Sequence, residues 1–235
     1  MTQSTHRLTF ALFAALAALV ITGCSKAPEP AKEAAQERAQ SQQPPAPTPP
    51  APPPEAKKAE APKEPAGNTV KVRFETSKGP FIIEVHREWA PLGARRFEEL
   101  VKDGYYNNAR FFRVLPRFVV QFGLAADPAK TKKWDKPFKD DPVLQTNRVG
   151  SVVFATAGPN TRTTQLFINL GSNQSLDSQG FSPFGMVVEG MDVVQQIYSG
   201  YLEKPDQGEI TARGNAYLTA EFPKMDFIKT ATVLE

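Results

Sequence analysis

The chain has 235 residues, a formal net charge of +3 and 40% hydrophobic residues. This charge is too weak to indicate a nucleic-acid-binding protein. The single cysteine, Cys24, excludes an intrachain disulfide. Composition changes along the chain, which divides it into an apolar amino-terminal segment, a proline-rich middle and a longer part of mixed composition.

Residues 1–23 predict a signal peptide. Arg7 supplies positive charge, and the apolar run 8–21 that follows is shorter than the roughly 20 residues that a membrane-spanning helix needs. The end of this run, Ile21-Thr-Gly-Cys, resembles the bacterial lipobox. The resemblance implies cleavage before Cys24 and lipidation of that cysteine. Cleavage at another small residue, which would remove Cys24 or leave it as a plain thiol, stays open.

A lipidated Cys24 would anchor the protein to a membrane of the cell envelope, facing the periplasm. Ser25 follows the cysteine, and serine at this position is typical of outer-membrane sorting in a Gram-negative organism. We therefore expect a membrane partner through the lipid anchor, in the outer membrane if the organism is Gram-negative.

Residues 24–67 predict a disordered linker. The segment is rich in proline and alanine, contains no aromatic residue and has balanced charges. Such a composition cannot bury enough apolar surface to offset the entropy of ordering. Residues 44–54 favour polyproline II, a stiff spacer. We expect a tether, and a proline-rich ligand for an aromatic groove is the alternative.

Residues 68–235 are long enough for one folded domain with its own core. Residues 70–76 alternate between apolar and polar as a half-buried strand does. A helix is predicted over 90–103, because Pro91 lies near its start and Gly104 just past its end. A second helix is predicted over 190–199. Strands are predicted over 70–76, 81–85, 109–115, 117–122, 151–155, 165–170, 184–189 and 226–234.

Eight strands and two helices indicate a mainly β fold. We expect a closed eight-stranded antiparallel barrel capped by two helices. Within it, the stretch 111–123 places Arg113 and Gln121 inside two short apolar runs. An unpaired charge is unfavourable on a half-buried strand. The pattern therefore favours a surface that holds an apolar group and contacts it with a few hydrogen-bond donors.

The residues available for catalysis in 68–235 are few. His86 is the only histidine there, no cysteine is present, and the neighbours Arg87 and Glu88 predict a solvated turn around it. A catalytic triad could be built only around His86, and the ligands of a zinc site are absent. We expect neither a metal nor another cofactor.

Isomerisation of an X–Pro peptide bond is compatible with so few catalytic residues, because it needs no nucleophile, metal or histidine base. It breaks no bond and has only to overcome amide resonance, a barrier of about 20 kcal/mol. An apolar pocket for the proline ring, with a guanidinium and amide donors directed at the peptide bond, would stabilise the twisted state selectively.

Three motifs in order along 69–234 resemble the cyclophilins, a family of peptidyl-prolyl cis-trans isomerases. The first is 111–123, against the family's Phe-His-Arg…Pro-x-Phe…Gln-x-Gly segment. The second is 155–167, with Ala-Gly-Pro-Asn-Thr and then Gln-x-Phe. The third is Leu176-Asp177 followed by 181–194. The resemblance implies the cyclophilin fold and an isomerase that assists the folding of exported proteins.

The resemblance also implies a role for each matching position. Arg113 resembles the catalytic arginine that contacts the substrate amide, and Gln121 the glutamine that hydrogen-bonds the substrate backbone. The remaining positions form a proline pocket, which Phe181 closes, and a groove for the residues before proline. These positions are Phe118, Val119, Phe167, Leu176 and Phe181 for the pocket, and Ala155, Thr156 and Gln165 for the groove.

Four residues depart from the family pattern. Phe112 replaces the usual histidine beside the arginine, Val119 a common methionine and Phe122 a glycine. Ser175 stands where cyclosporin-sensitive members carry tryptophan, which predicts weak cyclosporin binding because the indole donor is missing.

The expected partners are proline-containing unfolded or loop segments of exported proteins, with no nucleic acid, and the protein is expected to be a monomer. Two alternatives remain. One is a peptide-binding chaperone module with little isomerase activity, which would need the groove but not Arg113. The other is an envelope scaffold in which the linker is the functional part.

Overall fold

A computed structural model describes residues 68–234. The predictions of a signal peptide, a lipidated Cys24 and a linker over 24–67 lie outside the described residues. The strands are β1 (Thr69–Thr76), β2 (Pro80–His86), β3 (Arg113–Leu115), β4 (Val119–Phe122), β5 (Ser151–Phe154), β6 (Leu166–Asn169), β7 (Pro183–Glu189) and β8 (Ile228–Val233). The helices are α1 (Pro91–Lys102), α2 (Pro128–Trp134), α3 (Met191–Gln195), α4 (Gln207–Arg213) and α5 (Asn215–Glu221), with a 3₁₀ helix at Gln174–Gln179.

The strands form one antiparallel sheet in the order β3-β4-β6-β5-β7-β2-β1-β8. The first two strands of the chain, β1 and β2, form a hairpin. In it Phe74 lies directly opposite Phe81, and the two rings stack with their centroids 5.0 Å apart. In β1 the residues Val72, Phe74 and Thr76 are buried and their neighbours are less so, as the alternation predicted. The fold is therefore mainly β, as expected.

The expected closed barrel is wrong, because the sheet curls into an open half-barrel. β3 and β8 end the strand order and do not pair with each other. The segments that precede β3 and β8 are joined by a single β-bridge between Arg110 and Phe227. In addition, Asn108 N–H donates to the Ile228 carbonyl at 2.8 Å. β3 has only three residues, and Asn108 has a φ of 63°. This backbone conformation interrupts an extended ladder, so the pairing stops after one bridge.

The helices also differ from expectation. The predicted helix over 90–103 is confirmed as α1, but the one over 190–199 ends as α3 after Gln195. The sequence analysis missed α2, α4 and α5, which have seven residues each. Two turns are too few to give a clear helical period, and Gly214 separates the last two helices.

The main core lies between α1 and the sheet, and it is rich in aromatic rings. Phe97 of α1 packs on Phe74 of β1, at 6.1 Å between ring centroids, and on Phe184 of β7, at 5.1 Å. Along β4, Val120 and Phe122 point into this core, whereas Val119 belongs to a separate cluster on the other face of the sheet. Within residues 68–234, no helix has the length and apolar character needed to cross a membrane.

Candidate active site

The register of three strands places the candidate site residues in one row. Arg113 of β3 lies opposite Gln121 of β4, and Gln121 lies opposite Phe167 of β6. Phe167 in turn lies opposite Val153 of β5. Residues directly opposite each other in an antiparallel sheet point to the same face. Two polar groups thus stand at one end of the row, beside apolar side chains.

A chain of hydrogen bonds links these polar groups. Arg113 Nη1 donates to Gln121 Oε1 at 3.3 Å, and Gln121 Nε2 donates to Gln165 Oε1 at 2.9 Å. Arg113 Nε donates to Glu203 Oε2 at 3.0 Å. The amide of Gln121 is therefore oriented from both sides, and the guanidinium lies between a carboxylate and an amide oxygen.

An apolar cavity of about 180 Å³ opens beside this chain. It is smaller than the about 300–1,000 Å³ of sites for drug-sized ligands, so it suits a single ring rather than a large molecule. Phe181 meets Phe167 edge-on at 5.6 Å between ring centroids, and Phe118 lies at the rim, 36% exposed. The cavity is lined by Arg113, Phe118, Val119, Gln121, Ala155, Thr156, Phe167, Leu176 and Phe181.

A second cavity of about 230 Å³ adjoins the first and shares three of its residues. It contains Gln165, the one predicted site residue that does not line the apolar cavity. The Thr156 hydroxyl accepts from Gly158 N–H at 3.1 Å and lies 2.9 Å from the Thr161 hydroxyl, so it is engaged within its own loop. The second cavity is lined by Gln121, Ala155, Thr156, Ala157, Thr161, Thr163, Gln165 and Gln207.

All ten predicted site residues of the folded part thus line one of two adjoining cavities. The sequence analysis missed the side chains that support them. Asn173 Nδ2 donates to the Phe118 carbonyl at 3.0 Å and holds the turn between β3 and β4. Asn147 Nδ2 donates to Asp177 at 2.7 Å and to the Phe181 carbonyl at 2.9 Å. These bonds fix the 3₁₀ helix and the Phe181 loop against the sheet.

Two buried tyrosines lie under the site. Tyr105 donates to Thr164 Oγ1 at 3.0 Å, and Tyr106 donates to the Thr164 carbonyl at 3.3 Å. Burial raises the pKa of Tyr106 well above its ordinary value and also raises the pKa of Tyr105, whose hydrogen bond with Thr164 opposes this shift. Gly123, at φ 105°, lets β4 approach this point, since a Cβ there would lie 2.4 Å from the Thr164 carbonyl oxygen.

His86 is not in a solvated turn, and that expectation is wrong. Its side chain is buried and stacks on Trp89 at 3.7 Å between ring centroids. Its ring nitrogens lie 3.4 Å from Glu84 and 3.6 Å from Glu88. It lines neither cavity of the candidate site. Among residues 68–234, no group of three or more histidine, cysteine, aspartate and glutamate side chains could hold a metal ion.

Comparison with known proteins gives consistent matches. The model of the family described as cyclophilin type peptidyl-prolyl cis-trans isomerase/CLD matches residues 71–213. A peptidyl-prolyl cis-trans isomerase of Arabidopsis thaliana is 35% identical over 150 residues, which cover 61% of this chain and 89% of that protein. One from the bacterium Acinetobacter baylyi is 35% identical over 132 residues, covering 54% and 70% of the two chains.

A solved structure supports the fold. The crystal structure of a cyclophilin type peptidyl-prolyl cis-trans isomerase from Cryptosporidium parvum superposes with a TM-score of 0.55 at 24% identity. The superposition covers 71% of this chain and 98% of that one. The family match ends at Arg213, so α5 and β8 lie beyond it.

Proposed function

Because this chain belongs to the cyclophilin-type peptidyl-prolyl cis-trans isomerase family, we propose that its isomerase activity resides in the apolar cavity beside Arg113. The observation that carries the proposal is the row Arg113, Gln121 and Phe167 on one face of the sheet, with the ring-sized cavity next to it. An apolar pocket with a few convergent donors is the arrangement that proline isomerisation needs.

The proline ring of the substrate occupies the cavity between Phe118, Val119, Phe167, Leu176 and Phe181. As the peptide bond twists, its nitrogen loses conjugation and becomes a stronger hydrogen-bond acceptor. The guanidinium of Arg113 donates to the twisted amide and Gln121 holds the adjacent backbone. This interaction is stronger in the twisted state than in the planar one, so it lowers the barrier.

The residues before proline lie along the second cavity, where Ala155, Thr156 and Gln165 form the groove. The backbone of the substrate contacts this groove, so recognition there depends little on side-chain identity. The substrates we propose are unfolded or loop segments of exported proteins. Phe112 is buried at 2% exposure in a different cluster, so the chemistry relies on Arg113 without a neighbouring histidine.

The test is Arg113→Ala in the purified full-length protein, with isomerisation of an X–Pro peptide measured by NMR exchange. We expect kcat/KM to fall by about 10²-fold or more, the size typical of losing one donor that acts in the transition state. A rate equal to wild type would show that Arg113 does not act on the amide. If both proteins are inactive but suppress aggregation of an unfolded client, the peptide-binding alternative is correct.

We also propose that Cys24 is lipidated and anchors the protein in the cell envelope, facing the periplasm. The support is the sequence Ile21-Thr-Gly-Cys after an apolar run. Mass spectrometry of the mature amino terminus measures this directly, and an amino-terminal lipid-modified cysteine is the expected product. An unmodified Cys24, or a mature chain that begins after it, would contradict the proposal.

A further inference from the structure

We propose that Glu203 is a positioning residue for Arg113: its carboxylate holds the guanidinium in the orientation in which Arg113 acts on the substrate amide. The inference rests on the proposed role of Arg113. Glu203 lies 90 residues further along the chain, in the loop before α4. It was not among the sequence-predicted site residues, and it lines neither cavity.

The contacts of Arg113 define one orientation of its guanidinium. Nε donates to Glu203 at 3.0 Å and Nη1 donates to Gln121 at 3.3 Å. The guanidinium carbon lies 5.8 Å from the centroid of the Phe118 ring. The two hydrogen bonds require only Nε–H and one N–H of Nη1. Three N–H groups, both on Nη2 and the second on Nη1, are not required for them and can serve a substrate.

The backbone next to Glu203 is hydrogen-bonded to Val114, the residue directly after Arg113. Val114 N–H donates to the Leu202 carbonyl at 3.0 Å, so the loop bonds to the residue next to the arginine. Leu202 has a φ of 52°, an unfavourable conformation for leucine that persists only where surrounding contacts impose it. Leu202 N–H also donates to the Ser199 carbonyl at 3.0 Å. The backbone position of Glu203 is thus fixed by the hydrogen-bonded turn at Leu202.

Phe112, the other neighbour of Arg113, packs against the helices that follow Glu203. Phe112 belongs to a small buried cluster with Leu124, Ile210 of α4, Leu218 of α5 and Met225. Tyr201 packs against Phe222 at 5.0 Å between ring centroids, which ties the loop to the end of α5. Phe112 and Val114, on either side of the arginine, therefore both hold the segment 199–225. This explains what the phenylalanine in place of the family's histidine does here.

The expected effect is moderate because Glu203 is exposed. Its side chain is 64% exposed and that of Arg113 is 25% exposed, so water screens the pair. An exposed arginine–carboxylate pair changes an equilibrium by about two- to fivefold. Loss of Glu203 frees the guanidinium to adopt other rotamers, which reduces the fraction of Arg113 that is oriented for the twisted amide.

The test is a double-mutant cycle in the full-length protein with Glu203→Gln, Arg113→Ala and the combination, measuring kcat/KM by NMR exchange. We expect E203Q to lower kcat/KM about two- to fivefold with the unfolding temperature unchanged, and to have no further effect when Arg113 is already alanine. The matched control is Glu209→Gln. Glu209 is an exposed glutamate in α4 that pairs with Arg213 at 3.0 Å and lines neither cavity, and its loss should leave kcat/KM unchanged.

The outcomes separate the two proposals. If R113A keeps the wild-type rate, the proposed function is wrong. If R113A is inactive while E203Q matches or exceeds wild type, only the positioning role is overturned. The positioning role is also overturned if E203Q lowers kcat/KM in the R113A background, or if E209Q lowers kcat/KM as much as E203Q does. In either case the effect of E203Q would not depend on the orientation of Arg113.

Discussion

Side chains that are close in sequence at the start of β4 serve different purposes, because Phe118 lies in the turn before the strand whereas Val120 lies on the core-facing side of the strand. Phe118 lies at the rim of the apolar cavity, while Val120 is fully buried in the main core beneath it. Both are apolar residues of the same motif, and residue type alone does not separate them. Only its place in the fold decides whether each side chain lines the cavity or packs in the core.

This difference predicts that two alanine substitutions act on different properties. Phe118→Ala removes part of the cavity wall, and we expect it to lower kcat/KM roughly tenfold with little change in the free energy of unfolding. Val120→Ala leaves a void in the core and should cost about 2 kcal/mol of stability. It should change kcat/KM little below the unfolding transition. Denaturant unfolding and the NMR exchange assay measure both properties, and the reverse pattern would contradict the placement of Phe118 in the cavity wall and of Val120 in the core.

At the scale of elements, α4 and α5 share a small buried cluster with Phe112, the residue before β3. Their buried residues Ile210 and Leu218 pack with Phe112, Leu124 and Met225 rather than with the main core. A cluster this small gives local stability that can be lost without unfolding the sheet. The helices are therefore the part of the domain whose order is most sensitive to Phe112.

We accordingly expect Phe112→Ala to destabilise the protein by about 3–5 kcal/mol and to increase amide hydrogen exchange mainly in 199–225. The matched control is Phe111→Ala. Phe111 belongs to the main core and meets Phe122 edge-on at 5.5 Å between ring centroids. Its loss should increase exchange across the sheet, including β1 and β2. Equal exchange patterns in the two variants would show that the helices are not a separate unit.

For the whole molecule, two phenols, those of Tyr105 and Tyr106, are buried in the main core. Burial raises the pKa of both Tyr105 and Tyr106 in the folded protein. A group with a raised folded pKa contributes stability that is fully present below its unfolded pKa, about 10 for tyrosine, and that is lost as pH rises through the folded value. The fold should therefore weaken at alkaline pH.

We expect the free energy of unfolding to fall as pH rises above about 10. The fall should be shallower in Tyr105→Phe and in Tyr106→Phe, because phenylalanine has no proton to lose. Tyr217→Phe is the control, since Tyr217, in α5, is only partly buried and lies outside the main core. Denaturant unfolding at a series of pH values measures this. Parallel profiles for wild type and both buried-tyrosine variants would contradict the expectation.

The sequence by itself determined what local pattern and motif order encode. Period-two alternation predicted β1, Pro91 and Gly104 marked the ends of α1, and three motifs identified all the residues that line the apolar cavity and half of those that line the second cavity. Only the tertiary structure decided features that join distant parts of the chain. These are the open edge between β3 and β8, the cluster that contains Phe112, and the contact between Arg113 and Glu203. The physical reason is that hydrophobic periodicity reports which face of an element is buried, but not which distant side chain covers that face.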